Sequence, residues 1–189
     1  MVAAAASRDL TGDQLAAVLD EVESTELEAK LSEWSGAGTG LRVGAGGNNA
    51  GAGKAAKARF LSLYRHAATL EAAALEADQA LAELPDIDVL VLGMGDDGHT
   101  ASLFPNSPKL SEGLDPSSAR RCLPMLAPSV PHQRLSMTRA LLATAGFTAL
   151  SVQGPGKLAT LRAALGGDDL AEMPIRAFLQ DPLDIYWCP

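Results

Sequence analysis

Apolar positions along this chain recur with two different periods, and the alternation between them predicts the elements. Leu15, Val18, Leu19 and Val22 stand at helical spacing behind Thr11 and Gln14, a pair with capping-box spacing, so a helix is predicted over Leu10–Trp34. A second helix is predicted over Thr69–Leu84. Its sequence, TLEAAALEADQALAEL, is built of strong helix formers, Thr69 is a cap, and Pro85 ends the run. The period then changes. DIDVLVLG, residues 86–93, is a continuous Val/Leu/Ile run bounded by Pro85 and Gly93, which predicts a buried parallel strand. The carboxyl half repeats the order. A helix is predicted over Ser136–Ala145, a strand at FTALSVQ, a helix at PGKLATLRAAL with Pro155 in its opening turn, a short helix over Pro174–Leu179 and a last strand at LDIYWC. Strands alternating with helices imply a parallel sheet joined by right-handed crossovers. The predicted class is α/β: a Rossmann-like open, mostly parallel sheet with helices on both faces.

Three stretches interrupt this order. Residues 35–53, SGAGTGLRVGAGGNNAGAG, are so rich in glycine that a linker or a pair of ligand loops is expected rather than a packed element, because glycine loses the most conformational freedom on ordering. Residues 93–105 form a loop expected to enter a short helix. Residues 105–133, rich in Pro and Ser, are expected to be an irregular crossing or lid. The length of 189 residues fits one domain, residues 1–189, with an atypical amino-terminal third over about 1–58.

Composition narrows the function. Apolar residues make up 47% but aromatics only 4%, so the core must rest on Leu, Val, Ile and Ala. A net charge of -8 argues against nucleic acid and anionic membrane as partners, while leaving room for an anionic small molecule held by a few local cations. Cys122 and Cys188 are too few and too far apart for a disulfide framework. The opening MVAAAASRD lacks the features of a secretory signal, and no apolar stretch approaches membrane-spanning length. A cytoplasmic monomer or small homo-oligomer is expected.

The chemistry concentrates in DVLVLGMGDDGHTASLFP, residues 88–105. Gly93, Gly95 and Gly98 satisfy G-x-G-x-x-G after a strand, but Asp96 and Asp97 would set two negative charges in a turn meant for a pyrophosphate. A catalytic loop at the carboxyl end of a strand suits the residues better. The glycines allow a sharp turn and close approach of the backbone. Asp97 and His99, two residues apart, pair a carboxylate with an imidazole, the natural group for moving protons near neutral pH. The competing role for His99 is a cap on a helix beginning near Thr100. GGNNAGAGKA, residues 46–55, lacks P-loop spacing and has Ala55 in place of the Ser/Thr for a metal ion. No second His or Cys stands at ligand spacing from His99, so neither a metal nor a cofactor is expected.

GMGDDGHTASLFP closely resembles the signature loop of the 6-phosphogluconolactonases, which share a fold with glucosamine-6-phosphate isomerases/deaminases. The resemblance continues through PHQRLSMT (131–138), LSVQGPGKLATLRAAL (150–165) and the closing DIYWCP, covering about Arg59 to Pro189. It implies hydrolysis of 6-phospho-D-glucono-1,5-lactone to 6-phosphogluconate. His99 is then the general base and Asp97 its neighbour, with Arg134 and Lys157 on the sugar phosphate and Gly95 and Gly98 near the substrate. A guanidinium fork and a compact ammonium suit a phosphate dianion, and Lys157 sits at a predicted helix start, where unpaired N–H groups favour an anion. Isomerase and deaminase relatives follow the Asp-Gly-His loop with an Asn-Glu-Pro type sequence. Here Ser102-Leu103-Phe104-Pro105 stands instead, which favours the lactonase reading over an amino- or keto-sugar-phosphate isomerase/deaminase, while a non-catalytic sugar-phosphate-binding relative is the alternative that missing amino-terminal motifs support.

The amino-terminal third departs from the family. Its Ser-Gly-Gly-Ser-Thr-Pro loop and its Asp-Glu-Arg-x-Val-Pro strand end are absent. Arg42 and Asn49 are the nearest counterparts of the family's Arg and Asn. The expectation is that internal pieces of a longer chain are missing, since lost strands would leave a sheet edge or a hole in the core.

Overall fold

A computed structural model describes residues 41–44, 59–129, 132–179 and 182–189, with 41–44, 59 and 60 as backbone only. The elements, in chain order, are β1 (Leu41–Gly44), β2 (Arg59–Ser62), α1 (Leu70–Ala82), β3 (Val89–Leu92), α2 (Leu110–Leu114), β4 (Cys122–Leu126), β5 (Gln133–Met137), α3 (Arg139–Leu142), β6 (Phe147–Gln153), α4 (Gly154–Leu165), α5 (Arg176–Leu179) and β7 (Asp184–Cys188).

The part that positions the site is a three-stranded parallel sheet in the order β3-β6-β7. Val89 to Leu92 pair with Phe147 to Leu150, and Ala149 to Gln153 pair with Asp184 to Cys188. Parallel pairing puts the carboxyl ends of the three strands on one edge. Helix α4 leaves β6 at that edge without an intervening loop, since Gln153 ends the strand and Gly154 opens the helix. Gly154 has φ +82°, which an L side chain resists, and Pro155 sets the first turn. The core lies between sheet and helix. Leu92, Leu150, Val152 and Ile185 pack with Leu158, Leu161 and Ala164 of α4 and with Ile175 and Phe178. Each fully buried Leu or Ile contributes about 1.5–3 kcal/mol. A second cluster joins Ala77 and Leu81 of α1 to Leu63, Cys122 and Leu141. Asp78 pins α1 to β4 by accepting from the backbone N–H groups of Arg121 (2.6 Å) and Cys122 (2.9 Å).

The predicted helix at Thr69–Leu84 and the strands FTALSVQ and LDIYWC fall where expected, and the Thr69 hydroxyl accepts from Ala72 N–H at 3.1 Å. Five expectations are corrected. The Gly-rich stretch does contain a strand. Leu41–Gly44, a short run with three side chains, pairs in parallel with Arg59–Ser62. Strand β3 is not buried on both faces, because Val91 is 45% exposed. No helix begins at Thr100, and the first one after the loop is α2 at Leu110. The Thr100 hydroxyl turns back to the Gly93 carbonyl at 2.8 Å, Ala101 has φ +51°, and Thr100 bridges Leu103 instead. Residues 105–133 are not merely irregular. They hold α2 and strand β4, which pairs antiparallel with β5 and leaves an edge where Pro124 is tolerated. Finally, Ser136 and Met137 belong to β5 rather than to a helix. Thr138 starts α3 by accepting from Leu141 N–H, while its own hydroxyl donates to the Arg120 carbonyl at 2.7 Å. The predicted helix over Leu10–Trp34 lies outside the described residues. No described helix is long and apolar enough to cross a membrane.

Candidate active site

Strand β3 ends at Leu92, and the loop that follows folds back on itself. Gly95 N–H donates to the His99 carbonyl at 2.8 Å, and Gly98 N–H donates to the Gly95 carbonyl at 3.1 Å. This tight closure needs glycine at two places for different reasons. Gly98 has φ +74°, and a Cβ there would lie 2.8 Å from Met173 Cε. Gly95 lies outside the left-handed region, but a Cβ there would stand 2.7 Å from Asp97 Oδ1 and closer still to the imidazole of His99.

Within the turn, Asp97 Oδ1 accepts from the His99 backbone N–H at 3.1 Å and lies 2.5 Å from His99 Nδ1. A carboxylate so close calls for a proton on Nδ1, which leaves the lone pair on Nε2. Among the described residues Nε2 has no hydrogen-bond partner. Partial burial pushes the Asp97 carboxyl up, but the bonds from the His99 N–H and imidazole outweigh it and hold the carboxyl below its ordinary value. Asp97 is therefore an ionised acceptor at neutral pH. Phe104 lies against the imidazole with ring centroids 4.4 Å apart at 41°, and 29% of the His99 side chain stays exposed. The result is an oriented imidazole, screened on one side and open on another, at the carboxyl edge of a parallel sheet. Such a group can take a proton from water or return one to a leaving oxygen.

Positive charge comes from α4. Lys157 Nζ lies 2.8 Å from Asp96 Oδ1, and the Thr160 hydroxyl reaches the Asp96 carbonyl at 3.4 Å. Spaced three apart on one helix face, the two residues grip the loop next to Asp97. Arg134 is less close. Its guanidinium bonds the Gln133 carbonyl at 3.2 Å, within its own strand. Strand alternation puts Arg134 on the same face of β5 as Ser136, whose Oγ accepts from Ser102 N–H at 3.1 Å. The structure thus gathers Gly95, Asp97, Gly98, His99 and Lys157, whereas among the described residues the Arg134 guanidinium bonds only within its own strand. Arg42 lies in β1, where the backbone alone is described, and Asn49 lies outside the described residues. Sequence reasoning missed Phe104 as a partner of the imidazole, although it stands five residues downstream in the same motif. It also missed the buried Thr100 and the segment around Met173 that packs under Gly98, for which no local signal exists.

The model of the glucosamine-6-phosphate isomerases/6-phosphogluconolactonase family matches residues 49–187. The chain belongs to this family. Two curated relatives, both 6-phosphogluconolactonases, are from Pseudomonas putida (80% identical over 137 residues, 72% of this chain and 57% of the relative) and Pseudomonas aeruginosa (64% identical over 138 residues, 72% and 58%). The chain thus spans a little over half the length of the curated relatives it matches. A solved 6-phosphogluconolactonase from Shewanella baltica superposes with a TM-score of 0.72 at 27% identity, covering 96% of this chain and 94% of that one. The family fold agrees with the mixed, mostly parallel α/β class expected from the element order. Every residue that forms the Asp97–His99 turn falls within the matched segment.

Proposed function

We propose that this chain hydrolyses 6-phospho-D-glucono-1,5-lactone to 6-phosphogluconate, as the 6-phosphogluconolactonases of its family are named for doing. The observation that carries the reading is the 2.5 Å contact between Asp97 and His99 Nδ1 in a turn closed by two glycines. Asp97 fixes the imidazole so that Nε2 faces outward as a base. Nε2 takes a proton from water as the water oxygen bonds to C1 of the lactone. When the tetrahedral intermediate collapses, the bond from C1 to the ring oxygen breaks, and that oxygen takes the proton back from Nε2. Atoms and charge balance with the imidazole unchanged.

The phosphate is the handle. Lys157 supports its binding: an ammonium has three donors, and Asp96 occupies one. The first turn of α4 adds unpaired N–H groups that favour an anion. Arg134 adds a second cation from β5. Gly95 and Gly98 are assigned to the substrate on sequence resemblance; within the turn their missing side chains leave room for the Asp97–His99 pair and for Met173. Arg42 and Asn49 are assigned to the substrate on sequence resemblance alone.

The test is the loss of freshly generated lactone, corrected for spontaneous opening, in native protein and in His99→Ala. General-base catalysis contributes about 10²–10⁴-fold, so the variant should lose at least about a hundredfold in kcat. Equal rates in the two proteins would end the proposal.

A further inference from the structure

Arg176 is the most heavily engaged buried cation among the described residues, and nothing in the proposed chemistry uses it. It is 6% exposed. Its Nε donates to the Ala164 carbonyl at 3.0 Å, and one terminal nitrogen donates to the Asp169 carbonyl at 2.8 Å and to Glu172 Oε2 at 2.6 Å. The other reaches the Ala163 carbonyl at 3.3 Å. Gly167 leaves the room, because a Cβ there would collide with the guanidinium. These bonds satisfy the last carbonyls of α4 and at the same time fasten the turn over 168–175 to the end of that helix.

The turn so fastened is the floor of the catalytic loop. Ile175 N–H donates to the Gly98 carbonyl at 2.9 Å, and the Met173 side chain fills the space beneath Gly98. Gly98 is the residue between Asp97 and His99. Helix α4 therefore holds the pair from both flanks. Its amino-terminal turns grip Asp96 through Lys157 and Thr160, and its carboxyl end, through Arg176 and the turn, props Gly98.

We infer that Arg176 is a positioning residue for the Asp97–His99 pair, acting through Met173 and Ile175 on Gly98. This rests on the lactonase reading for its kinetic readout. If native protein shows no turnover, that reading fails; if native protein is active, the variants decide the inference. A displacement near 1 Å at the reacting groups costs about a hundredfold. Met173→Ala, which removes the prop but leaves the buried charge in place, should lower kcat by about ten- to a hundredfold with KM within about twofold of native. Met173→Leu, which refills the volume, should restore kcat to within about threefold. Arg176→Lys, which loses the fork, should move kcat in the same direction as Met173→Ala. The imidazole ¹⁵N signals of His99 supply a readout independent of turnover. Native protein should show one tautomer with the proton on Nδ1, and Met173→Ala a mixture. Native kcat in Met173→Ala, or a single unchanged tautomer in it, would overturn the inference. Native kcat and a single unchanged tautomer in Arg176→Lys would overturn it as well; should that variant not fold, Met173→Ala still tests the contact through which Arg176 acts.

Discussion

Gly95→Ala separates activity from stability. The added methyl would stand 2.7 Å from Asp97 Oδ1, against about 3.5 Å for ordinary contact, so the carboxylate must retreat by about 0.8 Å. The methyl overlaps Nδ1 and Cε1 of His99 more deeply, so the imidazole must move by more than about 1 Å. A displacement of that size costs about 10²-fold in rate. The fold has little to lose. The Asp97 and His99 side chains are 39% and 29% exposed and can rotate outward. Gly95 lies outside the left-handed region, where alanine at an allowed backbone gains about 0.4–1 kcal/mol through the unfolded state. The expected variant melts within a few degrees of native and loses at least about a hundredfold in kcat. Lactone consumption and a thermal melt on one preparation measure both. Gly98→Ala is the contrast, since φ +74° and Met173 make it costly to stability as well. Gly95→Ala with more than about a third of native kcat would refute the packing of the turn described above.

Three further outcomes follow from the same geometry. Asp97→Asn should cut kcat by about a hundredfold or more while leaving KM nearly unchanged, because the imidazole loses its fixed tautomer. It also tests linkage. The folded carboxyl lies below its ordinary value of 3.8, so its contribution to stability is full above that pH and is lost as pH falls through the lower folded value. Denaturant titrations of native and Asn proteins should therefore differ at pH 6 and converge in acid. Lys157→Met should raise KM for the phosphorylated lactone about tenfold or more, with no such change for an unphosphorylated lactone, in a steady-state comparison of the two substrates. Thr69→Ala, which removes the cap of α1 far from the loop, should cost about 1 kcal/mol by urea denaturation and leave kcat unaltered.

The carboxyl half was legible because its signals are local. FTALSVQ and LDIYWC are runs of branched and aromatic residues bounded by Gly and Pro, and Pro155 marks the start of α4. Asp97 and His99 were readable as a pair because two residues across a Gly-rich turn leave few other arrangements. What escaped the sequence is tertiary. Ser136 and Met137 carry a helix-compatible pattern, yet pairing with Cys122 and Leu123 draws them into a hairpin that no window over 136–145 reveals. Thr100 looked like a helix start, but its hydroxyl is captured by the Gly93 carbonyl seven residues back. Val91 read as buried, and its exposure depends on which elements flank β3. The support beneath Gly98 comes from residues some 75 positions downstream, beyond the reach of any motif.

The central claim, that one oriented imidazole moves the proton, is tested most directly by chemical rescue. His99→Ala, freed of its own base, is given increasing free imidazole and followed for loss of fresh lactone. The account predicts almost no turnover without imidazole and a saturable recovery above the rate of imidazole alone. Native-like turnover in the unrescued variant would contradict it.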